Sequence, residues 1–522
     1  MRPQRPGLRL GLLCAAIAAG PLAGQAVERT DTPRKGYLKI SFEATNTAWQ
    51  DYYVPGNRIS LGNVLTGDSI GTGIASVATL QSDVRVAGGV PGYIASLGAG
   101  QLRVRVERRE MPFIFQYGVT SRLSLGFSLP IVRTYTRTYF HVDSTGVNLG
   151  VNPLATNPGN ATVYGAFFTN LDGELAGLQA NINGGQYGCP VSPQCAEAQA
   201  LYAQGEAVRN ALFRSVYGTT AAPSGFLPLE TSDGGAGITA TVARLHSAIQ
   251  DSFNVGGYVK DTLLLPTAPA DQNAVNAYLE NPATGLGFDP LADTPRNLRV
   301  WPGDMELEAK YRAIEAGTYA AAVRLGVRLP TGHQSNPNSL YDLSAGDHQT
   351  DVSLRVIQEM TLWSRLWLNL SMEGTAQLAG TRWRRVTPYW DPFVSSATLA
   401  QLHWDPGDIW RIDFAPLYRF AKTFGAGFTF GYYHRGSDSY TFRTPQDSVD
   451  LAAKLGAPVS AAVLNDWTAY HAMRLGFTAT YNGPDMEGGF SAEQTVSGGA
   501  PNAPTPVATI LRFFLRYQVK LF

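Results

Sequence analysis

The chain has 522 residues, with 41 basic and 41 acidic side chains, and 16% of its residues are charged. Zero net charge provides no global attraction for nucleic acid or for an anionic surface. The body of the chain, with 55 Gly, 24 Tyr and 23 Phe, alternates apolar and polar residues with a period of two. A soluble enzyme of this length normally carries helical periodicity instead, so the pattern argues against that class.

The N-terminus has the pattern of an export signal. Three arginines within the first nine residues precede the apolar run Leu10–Gly20, and Gly24-Gln25-Ala26 offers a small-x-small cleavage site. We predict a signal peptide over residues 1–26. After it, no segment approaches the ~18 consecutive apolar residues that a membrane-spanning helix needs.

Period-two alternation predicts three β-strands within residues 27–140: Tyr37–Ala48, Gln101–Gln116 and a third that begins at Leu123. Each is long enough to cross a bilayer as a barrel strand, which takes ~9–11 residues. In the second strand, the alternation sets Leu102, Val104 and Val106 outward against Arg103, Arg105 and Glu107. It is lost at Arg108–Pro112, which we interpret as a β-bulge.

Residues 141–303 form an insertion that is too long for a plain loop. Cys195–Val216 and Ile238–Phe253 combine helix-forming residues with apolar residues on one face, and they predict two helices. Cys189 and Cys195 are close in sequence, and in an oxidising compartment they predict a disulfide. The insertion is either a partly helical extracellular cap, above or inside the barrel mouth, or a mobile surface excursion.

Nine further strands are predicted within residues 304–522. They are Met305–Ala313, Tyr319–Leu329, Asp351–Met360, Leu366–Glu373, Asp408–Phe420, Gly425–Tyr440, Tyr470–Tyr481, Glu487–Val496 and a last strand over 508–522. Short turns alternate with long connections throughout, which is the wiring of bacterial barrels with both termini in the periplasm. The predicted fold class is therefore all-β: a transmembrane antiparallel β-barrel of about 12 strands, with a mostly helical extracellular insertion.

The last strand carries the clearest alternation in the chain. Leu511, Phe513 and Leu515 share one face, and Arg512 and Arg516 share the other. Apolar side chains on one face and charged side chains on the other are typical of a strand between lipid and a water-filled lumen. The terminal Phe522 is the usual ending of an outer-membrane barrel, although it is one residue out of phase with the lipid face. It predicts recognition by the barrel-assembly machinery.

Charged residues at inward positions predict the lining of the lumen. The predicted solute-facing set is Arg103, Arg105, Glu107, Arg312, Arg324, Arg328, Arg355, Arg411, Asp413, Arg474, Arg512 and Arg516. Charges inside a barrel wall must be paired or hydrated. Two alternatives follow: a polar conduit whose basic excess favours anionic solutes, or a salt-bridged plug that stiffens a closed barrel.

Motifs for catalysis or metal binding are missing from the sequence. It contains no H-E-x-x-H, no G-x-S-x-G and no P-loop, and its seven histidines do not pair at ligand spacing. His348-Gln349-Thr350 has Thr where the His-x-Ser motif of an outer-membrane phospholipase would place Ser. We therefore predict no enzymatic activity, no cofactor and no metal.

Two blocks of sequence resemble a known family. Gln116–Thr134 is similar to the strand-turn-strand sequence of the outer-membrane family labelled "MetA-pathway of phenol degradation". That family is related to the larger group of fatty-acid and aromatic-hydrocarbon transporters. Ala320–Gly332 and Gly346–Asp351 resemble its second recurring block, in which the usual text is closer to G-x-G-x-x-D, so that His348 replaces the second glycine. The resemblance covers mostly strands and excludes the long insertion. It implies uptake of small hydrophobic or aromatic compounds.

These observations predict a channel in the Gram-negative outer membrane for passive uptake of small hydrophobic, aromatic or amphipathic solutes. The alternative is a closed barrel that serves as a platform for surface interactions through its insertion, and an outer-membrane lipid hydrolase is a distant third. The expected partners are outer-membrane lipid, the barrel-assembly machinery and a small-molecule solute, with no nucleic acid.

Overall fold

A computed structural model of the protein describes residues 28–54, 57–291, 299–388, 391–499 and 503–521. The predicted signal peptide and Phe522 lie outside these residues. Twelve long strands make up the barrel: β1 Tyr37–Trp49, β2 Ala99–Gly118, β3 Leu123–Asp143, β4 Glu306–Ala316, β5 Tyr319–Arg328, β6 Asp351–Leu362, β7 Leu366–Gln377, β8 Ile409–Arg419, β9 Phe424–Arg435, β10 Tyr470–Asn482, β11 Met486–Gly498 and β12 Thr509–Lys520. The short strand Arg299–Pro302 joins the same sheet by pairing with β3.

These strands close into an up-and-down barrel. Each pairs antiparallel with the next in sequence, and β1 also pairs with β12 from Tyr37↔Lys520 to Ala48↔Thr509. Closure leaves no unpaired strand edge inside the bilayer, which is the condition for a sheet to span a membrane. The predicted fold class is confirmed: the protein is a twelve-stranded transmembrane barrel with a helical insertion.

The two faces of the barrel wall differ as the alternation predicts. On β12, Phe513 and Tyr517 are exposed on the outer surface, whereas Arg512 and Arg516 are buried inside. Exposed apolar side chains such as Leu125, Leu354 and Phe477 continue this surface around the barrel. An apolar exterior around a charged interior is the arrangement that lipid outside and water inside select.

The β2–β3 hairpin corrects part of the sequence prediction. Its register is unbroken from Ala99↔Asp143 to Gly118↔Ser124, so the predicted bulge at Arg108–Pro112 is wrong. The strands are simply longer than a bilayer requires. Inward and outward positions keep their parity along the hairpin, but their surroundings change beyond the hydrocarbon.

Beyond the bilayer, the inward positions of β2 are apolar, and Leu102, Val104 and Val106 pack under the insertion. Arg103 and Arg105 are exposed on the outer surface, and Glu107 shares their face. The prediction that these three residues face the lumen is therefore wrong. The physical reason is that above the membrane water lies outside the hairpin and a protein core lies inside it.

Six helices of eight or more residues occur in the described part of the chain: α1 Ala75–Gly88, α2 Ala161–Asn183, α3 Pro193–Tyr217, α4 Asp233–Ser247, α5 Gln272–Glu280 and α6 Pro445–Leu455. The predicted helices correspond to α3 and α4, the latter extended by a π-helical turn over Ala248–Ser252. None of the described helices is both long and apolar enough to span a bilayer. The predicted disulfide between Cys189 and Cys195 is present.

The longest unforeseen helix, α2, contains three glycines that hide it in the sequence. Its buried stripe, which includes Phe168, Leu171 and Leu175, follows helical spacing. A side chain at Gly173 would lie 2.3 Å from the ring of Tyr258. Glycine is therefore required there by close packing, at the expense of helix propensity.

Helices α1–α5 pack into one folded unit over the barrel mouth, whereas α6 packs through Leu451 in a separate apolar cluster. Helix α1, which belongs to the first long connection and not to residues 141–303, packs against α3 and α4. Arg214 of α3 forms an ion pair with Asp83 of α1 at 2.5 Å. The buried side chains of this unit join those of the upper barrel wall, including Tyr433 and Ile510, in one apolar cluster. A shared core favours a folded cap over a mobile surface excursion.

Candidate functional site in the barrel lumen

A cavity of about 190 Å³ lies inside the barrel, lined by β1–β8, β12, residues before β1 and residues of two connections. Its lining includes nine acidic and nine basic residues. The acidic ones are Glu28, Glu43, Glu110, Asp304, Glu306, Glu308, Asp347, Asp351 and Glu373, and the basic ones are Arg29, Lys39, Arg108, Lys310, Arg324, Arg328, Arg355, Arg411 and Arg516. The charges balance.

This balance contradicts the basic excess expected from the sequence. Arg103 and Arg105 lie on the outer surface, while Glu28, Glu110 and Asp347 contribute carboxylates that strand periodicity did not reveal. A lining with equal numbers of both charges provides no net field for anions.

Glu373, on β7, is the centre of the wall network. Arg324 approaches it at 3.2 Å, Arg355 at 2.5 Å and Arg411 at 3.4 Å. These arginines come from β5, β6 and β8, so one carboxylate connects four strands. Arg324 also contacts Glu308 at 3.3 Å.

Residues 28–31 enter the lumen from the periplasmic end and add charges of their own. The Arg355 guanidinium donates to the Glu28 carboxylate at 2.8 Å, and Lys310 approaches that carboxylate at 3.4 Å. The Asn369 amide donates to the Glu28 carbonyl oxygen at 2.7 Å, and Lys310 donates to the carbonyl oxygen of Arg29. The Glu28 side chain is 5% exposed, so these partners replace its water.

Arg29 extends this segment to the other side of the barrel. Its guanidinium donates to Glu487 of β11 at 3.0 Å and lies 3.9 Å from Glu359 of β6. It also stands over the Trp367 ring at 5.9 Å from the ring centre. Since β6 and β11 are not neighbours in the barrel, the N-terminal segment bridges the lumen.

The remaining predicted lumen residues lie on the inner wall, in ion pairs. Arg474 contacts Asp413 at 3.1 Å and Glu493 at 3.5 Å, and Arg512 contacts Glu493 at 3.7 Å. Two other predicted residues are Arg516, which contacts Glu43 at 3.0 Å, and Arg312, which pairs with Glu315 beside the periplasmic turn at 3.0 Å. Their role in passing a solute stays a prediction.

A second acidic group closes the extracellular end of the cavity. Arg328 contacts Asp347 at 2.8 Å and Asp304 at 3.8 Å, and it also pairs with Asp351. Asp304 accepts the backbone N–H groups of Gly332 at 2.7 Å and Asp347 at 3.1 Å. Burial, together with the neighbouring Asp347 carboxylate, raises the pKa of Asp304 to about 6.

Several lining residues could not be predicted from strand alternation. Glu28 and Arg29 precede β1, and Asp304 and Asp347 lie in connections. Arg108 falls within the supposed bulge, yet it donates to the carbonyl oxygen of Ser344 at 2.7 Å. The one available signal for the N-terminal residues was a Glu-Arg pair that starts at the second residue after the predicted cleavage site.

The described residues contain no group of three or more His, Cys, Asp or Glu side chains arranged to hold a metal ion. The site is therefore described by its paired charges and its small polar cavity. Such an arrangement can bind and release a small solute and can be rearranged when one ionic partner moves away.

No family model matches the chain, and no curated protein matches it. Among solved structures, the COG4313 outer-membrane channel from Pseudomonas putida F1 is 9% identical, with 94% of this chain and 100% of that chain covered and a TM-score of 0.41. The P. putida toluene transporter TodX is 9% identical, with coverage of 94% and 90% and a TM-score of 0.28. A Pseudomonas aeruginosa FadL homologue is 8% identical, with coverage of 96% for both chains and a TM-score of 0.29.

Proposed function

We propose that the protein is an outer-membrane channel for small solutes whose lumen is closed by its own N-terminal segment. The observation that carries this proposal is the position of Glu28 and Arg29, which bridge opposite inner walls through ion pairs. A chain end can leave the lumen without breaking a strand pair of the barrel. Its ionic contacts can be replaced by water once it leaves.

The dimensions of the cavity support a small solute. An apolar cavity of about 150 Å³ is enough to hold benzene, so about 190 Å³ accommodates a single aromatic ring with a polar substituent. The lining supplies donors and acceptors in equal charge, which suits an amphipathic molecule and selects no sign of charge. The family resemblance in the strands points to the same class, small hydrophobic or aromatic compounds.

The test is solute flux into liposomes that contain the refolded mature chain, with or without residues 27–31. Benzyl alcohol, benzoate and a disaccharide would be compared. Removing the segment should raise benzyl alcohol and benzoate flux at least about tenfold, which corresponds to the loss of ~1.4 kcal/mol of closure. Replacing the exposed Lys35 by Gln is the matched control, since it changes a charge in the same region outside the lumen.

Absence of flux from both the intact and the shortened chain would contradict the channel. It would favour the alternative, a closed barrel that acts as a surface platform. That alternative has one specific observation in its favour: the cap shares a continuous buried core with the upper wall.

The platform would be tested by replacing residues 144–298 with a linker. Thr134 pairs with Arg299, and Asp143 lies nine residues further along β3, so the linker must span ~30 Å. About ten or more residues are therefore needed. Under the channel proposal this variant conducts at least as well as the intact chain, whereas a platform barrel stays closed.

A further inference from the structure

The outward face of the β2–β3 hairpin changes from apolar to basic at one level. Met111 and Ile131 face each other across the two strands and are the last apolar residues on the outward face of each. Beyond them, the outward positions carry Arg103, Arg105, Arg109, Arg133 and Arg137, interleaved with Tyr135 and Tyr139. These seven residues are called the basic band below.

The band places like charges directly opposite one another. Arg109 pairs in register with Arg133, and Arg105 with Arg137. Like charges at opposed positions of an antiparallel pair destabilise a sheet unless an anion lies between them.

Few carboxylates of the described chain form ion pairs with the arginines of the basic band. Arg109 donates to Glu107 at 2.6 Å. For Arg103, Arg105, Arg133 and Arg137, no acidic group of the described chain lies within ion-pair distance. The uncompensated positive charge therefore faces outward, and an anion from outside the protein can compensate it.

The band begins at the depth of the lipid headgroups and extends above them. Arg133 is two residues beyond Ile131 and Arg137 is six beyond it, which corresponds to ~7 Å and ~20 Å along the strand. Strand tilt of ~35–45° reduces the height of both above the hydrocarbon. The headgroup layer adds roughly 5–8 Å on each side of the hydrocarbon, so the Arg109–Arg133 pair, at a height of about 5 Å, falls within it, and the Arg105–Arg137 pair, at about 15 Å, lies above it.

The neighbouring strand leaves room for a bulky headgroup. The outward residues of β1 beside the band are Ala44, Asn46 and Ala48, and Asn46 and Ala48 are paired with Arg109 and Glu107. These short side chains leave space on the outer surface beside the arginines. Tyr135 and Tyr139 provide the amphipathic rings that favour a membrane interface.

We propose that the basic band binds the phosphate groups of the phosphorylated glycolipid of the outer leaflet, the lipid A class. Guanidinium groups match phosphate oxygens in bidentate geometry, and two opposed arginines can share one phosphate. This inference concerns the outer surface of the barrel and does not depend on whether the lumen conducts.

The test uses the full mature chain in lipid-free detergent and follows its thermal unfolding midpoint during titration. The probes are bisphosphorylated lipid A, its dephosphorylated form and inorganic phosphate. Only bisphosphorylated lipid A should raise the midpoint. Arg133→Gln/Arg137→Gln should weaken its apparent affinity about tenfold or more, given ~1 kcal/mol per arginine near an anionic surface. The matched control is Arg122→Gln/Arg244→Gln, which removes two exposed arginines from the periplasmic turn and from α4.

Without lipid, the band variant should be at least as stable as the intact chain, because it removes one member of each like-charge pair. Equal stabilisation by the dephosphorylated lipid would overturn the proposal, and so would equal stabilisation by inorganic phosphate. If the variant does not refold, the intact chain still decides the question. Stabilisation by lipid A should fall at an ionic strength of about 1 M, and salt-independent stabilisation would refute phosphate recognition.

Discussion

Glu373 supports three guanidinium groups at once, which makes it the residue on which the charge balance of the wall depends. Arg324, Arg355 and Arg411 would each lose their shared carboxylate if it were neutralised. Removing one partner of a buried ion pair costs more than the pair contributes, because the remaining charge stays buried. The lumenal cavity gives partial access to water, which reduces this cost.

We predict that Glu373→Gln lowers the free energy of unfolding by about 2 kcal/mol, below the ~3–5 kcal/mol of a fully dry pair. Urea unfolding followed by tryptophan fluorescence would measure the change. Ser371→Ala is the matched control, since Ser371 is a buried inward residue of the same strand and carries no charge. A loss no larger than that of the control would show that water already solvates these arginines.

Asp304, at the extracellular end of the cavity, makes the stability of the folded protein depend on pH. Its pKa is about 6 in the folded protein and ~3.9 in an unfolded chain. The folded state therefore holds a proton that the unfolded state has lost between these values. This contribution to stability is fully present below pH ~4 and is lost as the pH rises through about 6. Arg328 lowers the pKa of Asp347 against the effect of burial, so Asp347 titrates below this window.

Asp304→Asn should remove that dependence. The stability difference between the intact chain and the variant should be about 1.4 kcal/mol larger in favour of the intact chain at pH 5 than at pH 7.5. Urea unfolding at the two pH values measures it. Asp405→Asn, at an exposed position, is the control variant. A pH-independent difference for Asp304→Asn would mean that the carboxyl keeps the same charge over this range.

At the residue scale, the sequence predicted inward arginines correctly only where the bilayer determines the environment of the outward face. Arg512 and Arg516 alternate with lipid-facing residues, and their placement follows from periodicity. Arg103 and Arg105 show the same alternation but lie on the outer surface, because a period of two identifies the two faces of a strand without showing which of them faces water. Glu28 was not predictable, since its partners Lys310 and Arg355 are distant in sequence.

The connection after β5 shows how backbone conformation constrains one sequence element. His348 has φ +59° and an exposed side chain. This left-handed conformation is natural for glycine and strained for other residues, although histidine tolerates it better than most. The usual glycine of the resembled motif at this position thus has a physical explanation. The resemblance itself stays a prediction.

The two variants His348→Gly and His348→Ala should differ in stability, with glycine higher by about 1 kcal/mol. The comparison cancels the loss of the imidazole, because both variants lack it. The control is the same pair of changes at His403, which is exposed within the short strand Leu399–Asp405. There alanine should be the more stable residue. Equal stabilities at position 348 would show that the connection changes its backbone conformation in solution.

Among the elements, strands were more predictable than the cap. A barrel strand alternates between lipid and a polar interior, so each of the twelve barrel strands was predicted, whereas short strands outside the membrane, such as Leu399–Asp405, were not. The helices α1 and α2 were not predicted. Helix α1 lies in the connection between β1 and β2, for which no helix or strand was predicted, and α2 contains Gly165, Gly173 and Gly177, which lower its helix propensity. Their helical conformation is stabilised by tertiary packing against other parts of the cap, which local propensity does not contain.

For the whole molecule, the structure separates two kinds of closure. The wall is a complete cycle of paired strands, and its ion pairs connect strands that are neighbours or are separated by one strand, as in Arg324–Glu373 and Arg474–Asp413. Residues 28–31 are held only through side-chain contacts and a few backbone contacts within the lumen. Opening therefore requires breaking the contacts of one short segment, while the barrel remains intact.

A thiol at position 353 would report on this closure. Ser353 lines the cavity, and both cysteines of the described chain are bonded to each other, so Ser353→Cys introduces one reactive thiol after leader removal. Deleting residues 27–31 should accelerate its reaction with methanethiosulfonates at least about tenfold. Neutral, cationic and anionic reagents should react within a factor of about three, since the balanced lining provides no net field.

Ser121→Cys is the control, because Ser121 is exposed in the periplasmic turn between β2 and β3 and should react at the same rate in both backgrounds. An unchanged rate at position 353 after the deletion would show that the N-terminal segment does not limit access to the cavity. A strong preference for the anionic reagent would show an uncompensated positive charge inside the barrel. Equal acceleration with all three reagents would show that the N-terminal segment closes the lumen. It would also indicate that the size of the cavity, and not its charge, determines which solutes enter.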